Sequence, residues 1–250
     1  MRTIGIIQAR NGGDRLPNKG SIELLGKPML QHVIERVKRA KRLNAICVAI
    51  PTGKENIPLE NIADKCEVGC YFGGWYSDFP AENDLVKRYF RAVKEQFEDV
   101  GIIVRICADN PCIEPEAIDL LIEHGNLGVD NALVTNAGDY RVAGKDFGWP
   151  DGIGAELYTM KMLEFLNFEV SKPELREHPH KYYHNTHNVI VPPCPKDWWR
   201  PDLRLDVNTE LDFEFIKRIY EHFGRNDFHI VDVIKYYLDR EVGEIRFFAK

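Results

Sequence analysis

Residues 3–37, TIGIIQARNGGDRLPNKGSIELLGKPMLQHVIERV, decide the fold of this 250-residue chain. The segment begins with a short apolar strand and passes through a polar, glycine-containing loop (8–20). It ends in a stretch whose apolar residues recur on one helical face. Pro28 stands in the first turn of that predicted helix, a position that suits proline. The order of strand, loop and helix predicts the first unit of an α/β sheet.

The same alternation continues along the chain. Short apolar runs predict further strands at 45–50, 102–106, 132–135, 155–159, 188–191 and 203–207, and amphipathic stretches predict helices at 83–97, 160–168, 210–223 and 230–240. This rhythm is typical of βαβ units, so we expect an α/β fold with a mainly parallel, Rossmann-like sheet and helices on both faces. Residues 1–250 are predicted to form a single domain, in which the looser stretch 137–201 is an inserted region.

Composition excludes some classes of protein. The net charge is −6, from 33 Lys and Arg against 39 Asp and Glu, which argues against a basic, sequence-blind nucleic-acid surface. No run approaches the ~20 apolar residues of a membrane span, and the N-terminal apolar run is too short for a signal peptide. We therefore expect a cytoplasmic protein with no nucleic-acid or membrane partner. The six cysteines lack paired zinc spacing and are predicted to be buried free thiols.

The loop at 8–19 concentrates positive charge after the first strand. It contains Arg10, Arg15 and Lys19 together with the adjacent Gly12 and Gly13. Glycines allow backbone amides to approach a phosphate, arginines bind phosphate oxygens with two-pronged donors, and lysine adds a mobile charge. The loop matches neither a Walker A sequence nor a dinucleotide fingerprint. On composition alone, a solvated surface loop is an equally good interpretation.

Several segments, in the same order, resemble one enzyme family. They are IIQARNGGDRLPNKG (6–20), LLGKPMLQHVIERV (24–37), ENDLVKRY (82–89), VRICADNP (104–111), PDG (150–152) with Glu156, REH (176–178), and RLDVNT (204–209) with DF (212–213). These segments resemble the sugar-acid cytidylyltransferases, which include the 3-deoxy-manno-octulosonate and acylneuraminate enzymes. They are most similar to the branch that serves spore-coat polysaccharide synthesis.

The resemblance implies a fold of the nucleotide-diphospho-sugar transferase type and a CTP-dependent nucleotidyltransferase. Such an enzyme uses Mg²⁺ to transfer CMP from CTP to a small anionic acceptor, either a sugar acid or a sugar phosphate, and releases pyrophosphate for surface polysaccharide or glycan synthesis. The family also implies a homodimer, with residues 137–201 forming the acceptor-side and dimerisation region.

The resemblance also assigns roles to individual residues. The nucleotide-binding residues it implies are Ala9, Arg10, Asn11, Gly12, Gly13, Arg15, Lys19, Asp84, Arg88 and Asp109. Among them, Arg10, Lys19 and Asp109 are the predicted catalytic residues. Arg88 is equally well interpreted as part of the solvated face of its helix.

Metal binding is predicted at two places. Asp109 follows an apolar strand and precedes a proline, which suits a carboxylate that binds Mg²⁺. The family's second carboxylate is replaced here by Asn208. Because side chains alternate along a strand, Asp206 is expected to point to the same side as Asn208 and to take over that role. A degraded metal site, or one with a single protein carboxylate, is the alternative.

On the acceptor side, the predicted contacts are Arg141, Glu156, Arg176 and His178. The sequence departs from the family at Gly154, where the family carries an aspartate. Two other functions stay open: a glycosyltransferase on a related nucleotide-binding fold, and a CTP-binding protein with impaired catalysis, which Gly154 and Asn208 would favour. A glycosyltransferase usually carries an Asp-x-Asp element, and the segment that begins at Asp109 lacks the second aspartate.

Overall fold

The computed structural model describes residues 1–12, 15–73, 83–125, 132–137, 146–186 and 188–241. Its strands are β1 (Arg2–Gln8), β2 (Glu23–Leu24), β3 (Lys27–Pro28), β4 (Ala45–Ile50), β5 (Gly69–Phe72), β6 (Val100–Cys107), β7 (Leu133–Thr135), β8 (Glu156–Thr159) and β9 (Val189–Ile190). Its α-helices are α1 (Met29–Val37), α2 (Ile57–Lys65), α3 (Leu85–Gln96), α4 (Pro115–Gly125), α5 (Met160–Glu169), α6 (Pro173–Glu177), α7 (His180–Asn185), α8 (Glu210–Phe223) and α9 (Ile230–Glu241).

In the described part of the chain, seven strands form one sheet in the order β5-β4-β1-β6-β8-β7-β9, while β2 and β3 pair separately. Strand β8 runs antiparallel to both of its neighbours, and the other pairings in the large sheet are parallel. The predicted mainly parallel α/β sheet is therefore confirmed. The stretch 137–201 contributes β8 and β9 to this sheet. Its treatment as an insertion in a single domain stays a prediction.

Helices cover both faces of the sheet. Apolar residues of α1, α2 and α4 pack on one face, and those of α3 and α5 pack on the other. Neighbouring residues of β1 point to opposite faces, with Ile6 beneath α3 and Ile7 beneath α1, and both are fully buried. A strand buried on both faces must be apolar throughout, which explains the continuous hydrophobic run of β1.

The strand predicted at 203–207 is wrong. This segment is extended, but among the described residues it forms only one isolated bridge, between Arg204 and Asp151. Its neighbour is the turn at Gly152, which has φ +86°, and a Cβ there would lie 2.4 Å from the backbone nitrogen of Asp206. Val207 donates its backbone N–H to the carbonyl of Asp109 at 2.8 Å. The segment therefore lies against the loop after β6 and ends near the carboxyl edge of the sheet.

The six cysteines are all free, as predicted. Three are buried and three are half-buried, and burial raises the pKa of the Cys47 and Cys112 thiols to about 12. Thiols with such pKa values stay protonated and unreactive at neutral pH. Each helix in the described ranges is too short or too polar to cross a membrane.

Candidate active site

A cleft of about 340 Å³ opens where β1 and β6 end, at the carboxyl edge of the parallel strands. Its lining includes residues of the loop after β1, of the loop after β6, of α3 and of α6. We call one part the loop end, lined by Arg10, Arg15, Lys19, Asp109 and Asn208. The other part is the strand end, lined by Gln8, Arg88, Arg105, Glu177 and His178.

The loop after β1 is fixed from below by Asn11, which is 4% exposed. Its backbone N–H donates to Oδ1 of Asn56 at 2.8 Å, and its side-chain amide donates to the carbonyl of Glu55 and to Oγ of Ser21, both at 2.9 Å. These bonds use all three N–H donors of Asn11, one on the backbone and two on the side chain. Asn11 therefore holds the cationic loop over the cleft, and its contact with a nucleotide stays a prediction.

Lys19 joins the two loops at the loop end of the cleft. Its Nζ lies 2.9 Å from Oδ2 of Asp109 and donates to the carbonyl of Val207 at 2.7 Å. The Lys19 and Asp109 side chains are 23% and 29% exposed, so the pair is accessible from the cleft and is not sealed in the core. The expected opposition of a positively charged turn and an acidic residue in one cleft is present.

Acidic groups accumulate beside Asp109. Burial raises the pKa of Asp206, and the nearby negative charges of Asp109 and Asp212 raise it further, against the effect of Arg204. Arg204 donates to both carboxylate oxygens of Asp206, at 3.0 and 2.8 Å. Asn208 Nδ2 also donates to Asp206, so these two side chains meet as expected, although not within a strand.

The donor set at the loop end fits Mg²⁺. Asp109, Asp206 and Asn208 offer oxygen atoms, which magnesium prefers. Burial raises the pKa of Asp206, and the charges of Asp109 and Asp212 add to the effect, so a bound cation would favour its ionised form. In the described part of the chain, no three His, Cys, Asp or Glu residues form a complete metal cluster. Magnesium commonly takes one or two carboxylates and completes its ligands with substrate phosphates, and its binding here stays a prediction.

At the strand end, Arg105 of β6 forms a buried ion pair with Glu156 of β8. Arg105 Nη1 lies 2.5 Å from Oε1 of Glu156, and Arg105 Nε donates to Oε1 of Gln8 at 3.0 Å. The Tyr158 hydroxyl donates to the other Glu156 oxygen at 2.6 Å. Burial opposes ionisation of Glu156, but the Arg105 and His180 charges hold the pKa of this carboxyl at about 2. Glu156 therefore stays ionised at neutral pH.

Two further groups face the strand end. Arg88 of α3 is 2% exposed and lines the cleft. His178 follows α6, and burial lowers its pKa, with the charges of Lys181 and Arg105 adding to the effect. A neutral imidazole beside two guanidinium groups suits hydrogen bonding to a polar ligand.

The structure brings most of the predicted site residues into this one cleft. The predicted residues that line it are Ala9, Arg10, Asn11, Gly12, Arg15, Lys19, Arg88, Asp109, His178 and Asn208. Asp206 touches the lining through Asn208. Gly13 and Arg141 lie outside the described residues. The roles assigned to all of these residues stay predictions.

Three predicted contacts lie elsewhere. Asp84 was expected to bind nucleotide and Arg176 to bind acceptor, but they form a buried ion pair in which Nε of Arg176 lies 3.0 Å from both oxygens of Asp84. Asp84 also caps α3 through the N–H of Lys87, and Arg176 donates to carbonyls at the end of α5. Glu156 lies beneath the cleft and holds Arg105. All three have structural roles.

The departure at Gly154 also has a structural reason. A Cβ at Gly154 would lie 2.1 Å from the backbone oxygen of Asn136. Asn136 is fully buried, accepts from the N–H of Ala155 at 2.8 Å and donates to the carbonyl of Ala117 at 2.7 Å. The space that an aspartate would need at residue 154 is therefore filled by Asn136.

Sequence reasoning missed Gln8, Arg105 and Glu177 as residues of the cleft. A signal existed for Arg105, because an arginine inside the apolar run 102–106 has to be paired or functional. Gln8 and Glu177 lack such a signal, since each stands at the end of an element where polar residues are ordinary.

Comparisons with known proteins agree with this geometry. The family model described as Cytidylyltransferase matches residues 4–143, more than half of the chain. An uncharacterized protein of Methanocaldococcus jannaschii is 30% identical over 239 residues, which cover 94% of this chain and 90% of that protein. Spore coat polysaccharide biosynthesis protein SpsF of Bacillus subtilis is 25% identical over 228 residues, covering 88% and 86% of the two chains.

A solved structure leads to the same family. The cytidylyltransferase from Leptospira borgpetersenii serovar Hardjo-bovis superposes with a TM-score of 0.83 at 26% identity, and the match covers 99% of each chain. The family match, the length of the shared sequence and the shared fold agree with one another. The chain therefore belongs to the cytidylyltransferase family and is a CTP-dependent nucleotidyltransferase.

Proposed function

We propose that the enzyme transfers CMP from CTP to a hydroxyl group of an acidic sugar, as a step in the synthesis of surface polysaccharide or glycan precursors. The observation that carries this proposal is the loop end of the cleft. There Arg10, Arg15 and Lys19 face the same space as Asp109, with Lys19 Nζ and Asp109 Oδ2 only 2.9 Å apart. The acidic sugar is supported by the resemblance to sugar-acid enzymes.

The three cations would bind the triphosphate. Arg10 and Arg15 are exposed, and among the described residues they bind only amide oxygens, of Asn83 at 3.0 Å and of Asn208 at 3.4 Å. Charged phosphate oxygens would replace these weaker partners. Lys19 is placed to relieve the charge that develops on the leaving pyrophosphate.

Mg²⁺ would be held by Asp109, with Asp206 and Asn208 as further oxygen ligands. When bound, the ion supplies charge neutralisation for the phosphates. The residues of the chain position the reactants: the sugar hydroxyl oxygen forms a bond to the α-phosphorus as the bond to the β-phosphate oxygen breaks. The hydroxyl proton leaves to solvent, and pyrophosphate departs with the bonding electron pair. No covalent enzyme intermediate is needed.

The assembly in which this occurs is proposed to be a cytoplasmic homodimer. The exposed aromatic side chains of α5, Phe165 and Phe168, are 40% and 69% exposed and could pack against a second copy. Sedimentation of the wild type and of Phe168→Glu would test the dimer, since an unchanged mass would exclude this face. Cell fractionation would test the proposed location.

The decisive experiment measures pyrophosphate release. The enzyme is incubated with each of the four nucleoside triphosphates and a panel of sugar acids, sugar phosphates and phosphonates, with and without Mg²⁺. We expect release with CTP and a sugar acid, and loss of release with EDTA. Release only with a sugar phosphate would overturn the acceptor class. CTP binding without release on any acceptor would indicate impaired catalysis, and consumption of a sugar nucleotide would indicate a glycosyltransferase.

A further inference from the structure

We infer that Arg105 is a carboxylate-binding residue at the strand end of the cleft, where it recognises the acid group of the acceptor. This inference rests on the proposed function, because it assigns the acceptor to a particular part of the same cleft. It starts from one observation: a guanidinium group stands in the middle of the sheet, on the central strand β6, with a side chain only 10% exposed.

A buried guanidinium is costly unless it is paired and hydrogen-bonded. Arg105 meets this requirement with two of its three nitrogens. Nη1 pairs with Glu156 directly across the antiparallel β6–β8 register, and Nε binds Gln8, with the Tyr89 hydroxyl 3.4 Å away. These partners on three different elements fix the plane of the guanidinium group, so it is positioned before any ligand arrives.

The third nitrogen has another environment. Within the described part of the chain, Nη2 of Arg105 makes no hydrogen bond, although the residue lines the cleft. Nη2 is not one of the fully buried polar atoms that lack a hydrogen-bond partner. Because Arg105 lines the cleft, we take this nitrogen to be accessible from there. The protein thus holds Arg105 by Nε and Nη1 and leaves Nη2 available to a ligand in the cleft.

The surroundings favour an anionic ligand. Glu156 neutralises the charge of Arg105 from beneath, but Arg88 adds a second guanidinium to the strand end, and His178 adds a polar ring. Glu177 is the acidic group that lines this part of the cleft, and it suits the hydroxyl groups that a sugar acid also carries. The phosphates have separate cations at the loop end. A planar carboxylate is the anion that matches a fixed guanidinium edge.

The test measures binding and does not require turnover. Titration calorimetry would measure 3-deoxy-manno-octulosonate, N-acetylneuraminate and their methyl esters against the CTP-loaded enzyme without Mg²⁺. The variants are Arg105→Gln and the double variant Arg105→Gln with Glu156→Gln, which strands no buried carboxylate. Arg91→Gln, on the exposed face of α3, is the matched control. CTP binding is measured for each variant.

We expect the wild type and Arg91→Gln to bind an acid more tightly than its ester. In the double variant, acid binding should weaken by roughly 10- to 100-fold, the effect of losing one charged hydrogen bond, while CTP binding stays unchanged. An acid that binds neither better than its ester nor more weakly to the double variant would overturn the inference. Weakened CTP binding would overturn it as well, by placing Arg105 at the base or ribose.

The outcomes also separate this inference from the proposed function. If the acid binds through Arg105 but no pyrophosphate appears once Mg²⁺ is added, the proposed reaction fails and the carboxylate site stands. If pyrophosphate is released with an acceptor whose binding ignores Arg105, the reaction stands and the carboxylate site fails.

Discussion

The two ends of the cleft treat buried carboxylates in opposite ways. At the strand end, burial is outweighed by Arg105 and His180, and the pKa of Glu156 falls to about 2. At the loop end, burial and the charges of Asp109 and Asp212 raise the pKa of Asp206, despite the two hydrogen bonds from Arg204. At the strand end the charge of Glu156 is thus compensated by the protein itself, whereas at the loop end the charge of Asp206 is compensated less fully and a substrate-bound cation can offset it. This contrast separates Glu156, which positions Arg105, from Asp206, which is left to bind a cation.

The largest effect is expected from breaking the strand end. Arg105→Gln leaves Glu156 buried without its partner, and removal of one member of a buried ion pair costs about 3–5 kcal/mol. Urea unfolding measures this loss. The double variant with Glu156→Gln removes both charges and should regain a large part of the stability. Equal stability of Arg105→Gln and the wild type would contradict the view that the strand end is a tightly coupled pair.

At the loop end we expect a smaller effect, and we expect it on turnover and not on stability. Asp109 is 29% exposed and its side chain is paired only with Lys19 in the described structure. Asp109→Asn should therefore leave stability nearly unchanged. It should lower turnover on the order of 10²–10³-fold, as does removal of a preorganised electrostatic group. The measurement is kcat for pyrophosphate release.

The control for this prediction is Asp64→Asn. Asp64 is an exposed aspartate of α2 that does not line the cleft. It should keep full activity. Turnover by Asp109→Asn within about threefold of the wild type would remove Asp109 from the reaction and would leave the Lys19 pair as a structural contact.

The loop end was largely predictable from the sequence, and the strand end was not. Arg10, Lys19 and Asp109 stand in loops after apolar strands, within segments that resemble the enzyme family, and parallel strands bring such loops together. The bounds of strand β4 were also predicted correctly, because a buried strand is a short apolar run that the sequence shows directly.

The strand end depends on which strands become neighbours. Arg105 and Glu156 are 51 residues apart, and they meet because β8 inserts antiparallel beside β6. Asp84 and Arg176 are 92 residues apart and meet across α3 and α6. Periodicity carries no information on sheet order or helix docking, so all three predicted contacts that became structural belong to such long-range pairs. The register of partner strands, and not the residue type, decides whether a charge is exposed to substrate.

The smallest effect, and the most specific one, is expected at Asp206. Its folded pKa lies above the ordinary value of 3.8, so the folded state gives up this proton less readily than the unfolded chain. The stability that Asp206 contributes is therefore fully present below pH 3.8, and it is lost as the pH rises through the folded pKa of this carboxyl group. Asp206→Asn removes that loss and should raise the free energy of unfolding at neutral pH by roughly 0.5–1 kcal/mol. The gain should vanish in acid.

The same substitution should impair the enzyme, because it removes a metal ligand. We expect the Mg²⁺ midpoint of pyrophosphate release to rise about 10-fold or more. The matched control is Asp202→Asn, since a hydrogen bond from Arg200 lowers the pKa of Asp202, with burial opposing it; this variant should lose a little stability and leave the Mg²⁺ titration unchanged. If Asp206→Asn and Asp202→Asn changed the free energy of unfolding in the same direction, the idea that negative charge accumulates around Asp206 would be refuted. An unchanged midpoint in Asp206→Asn would leave Asp109 to hold the metal without it.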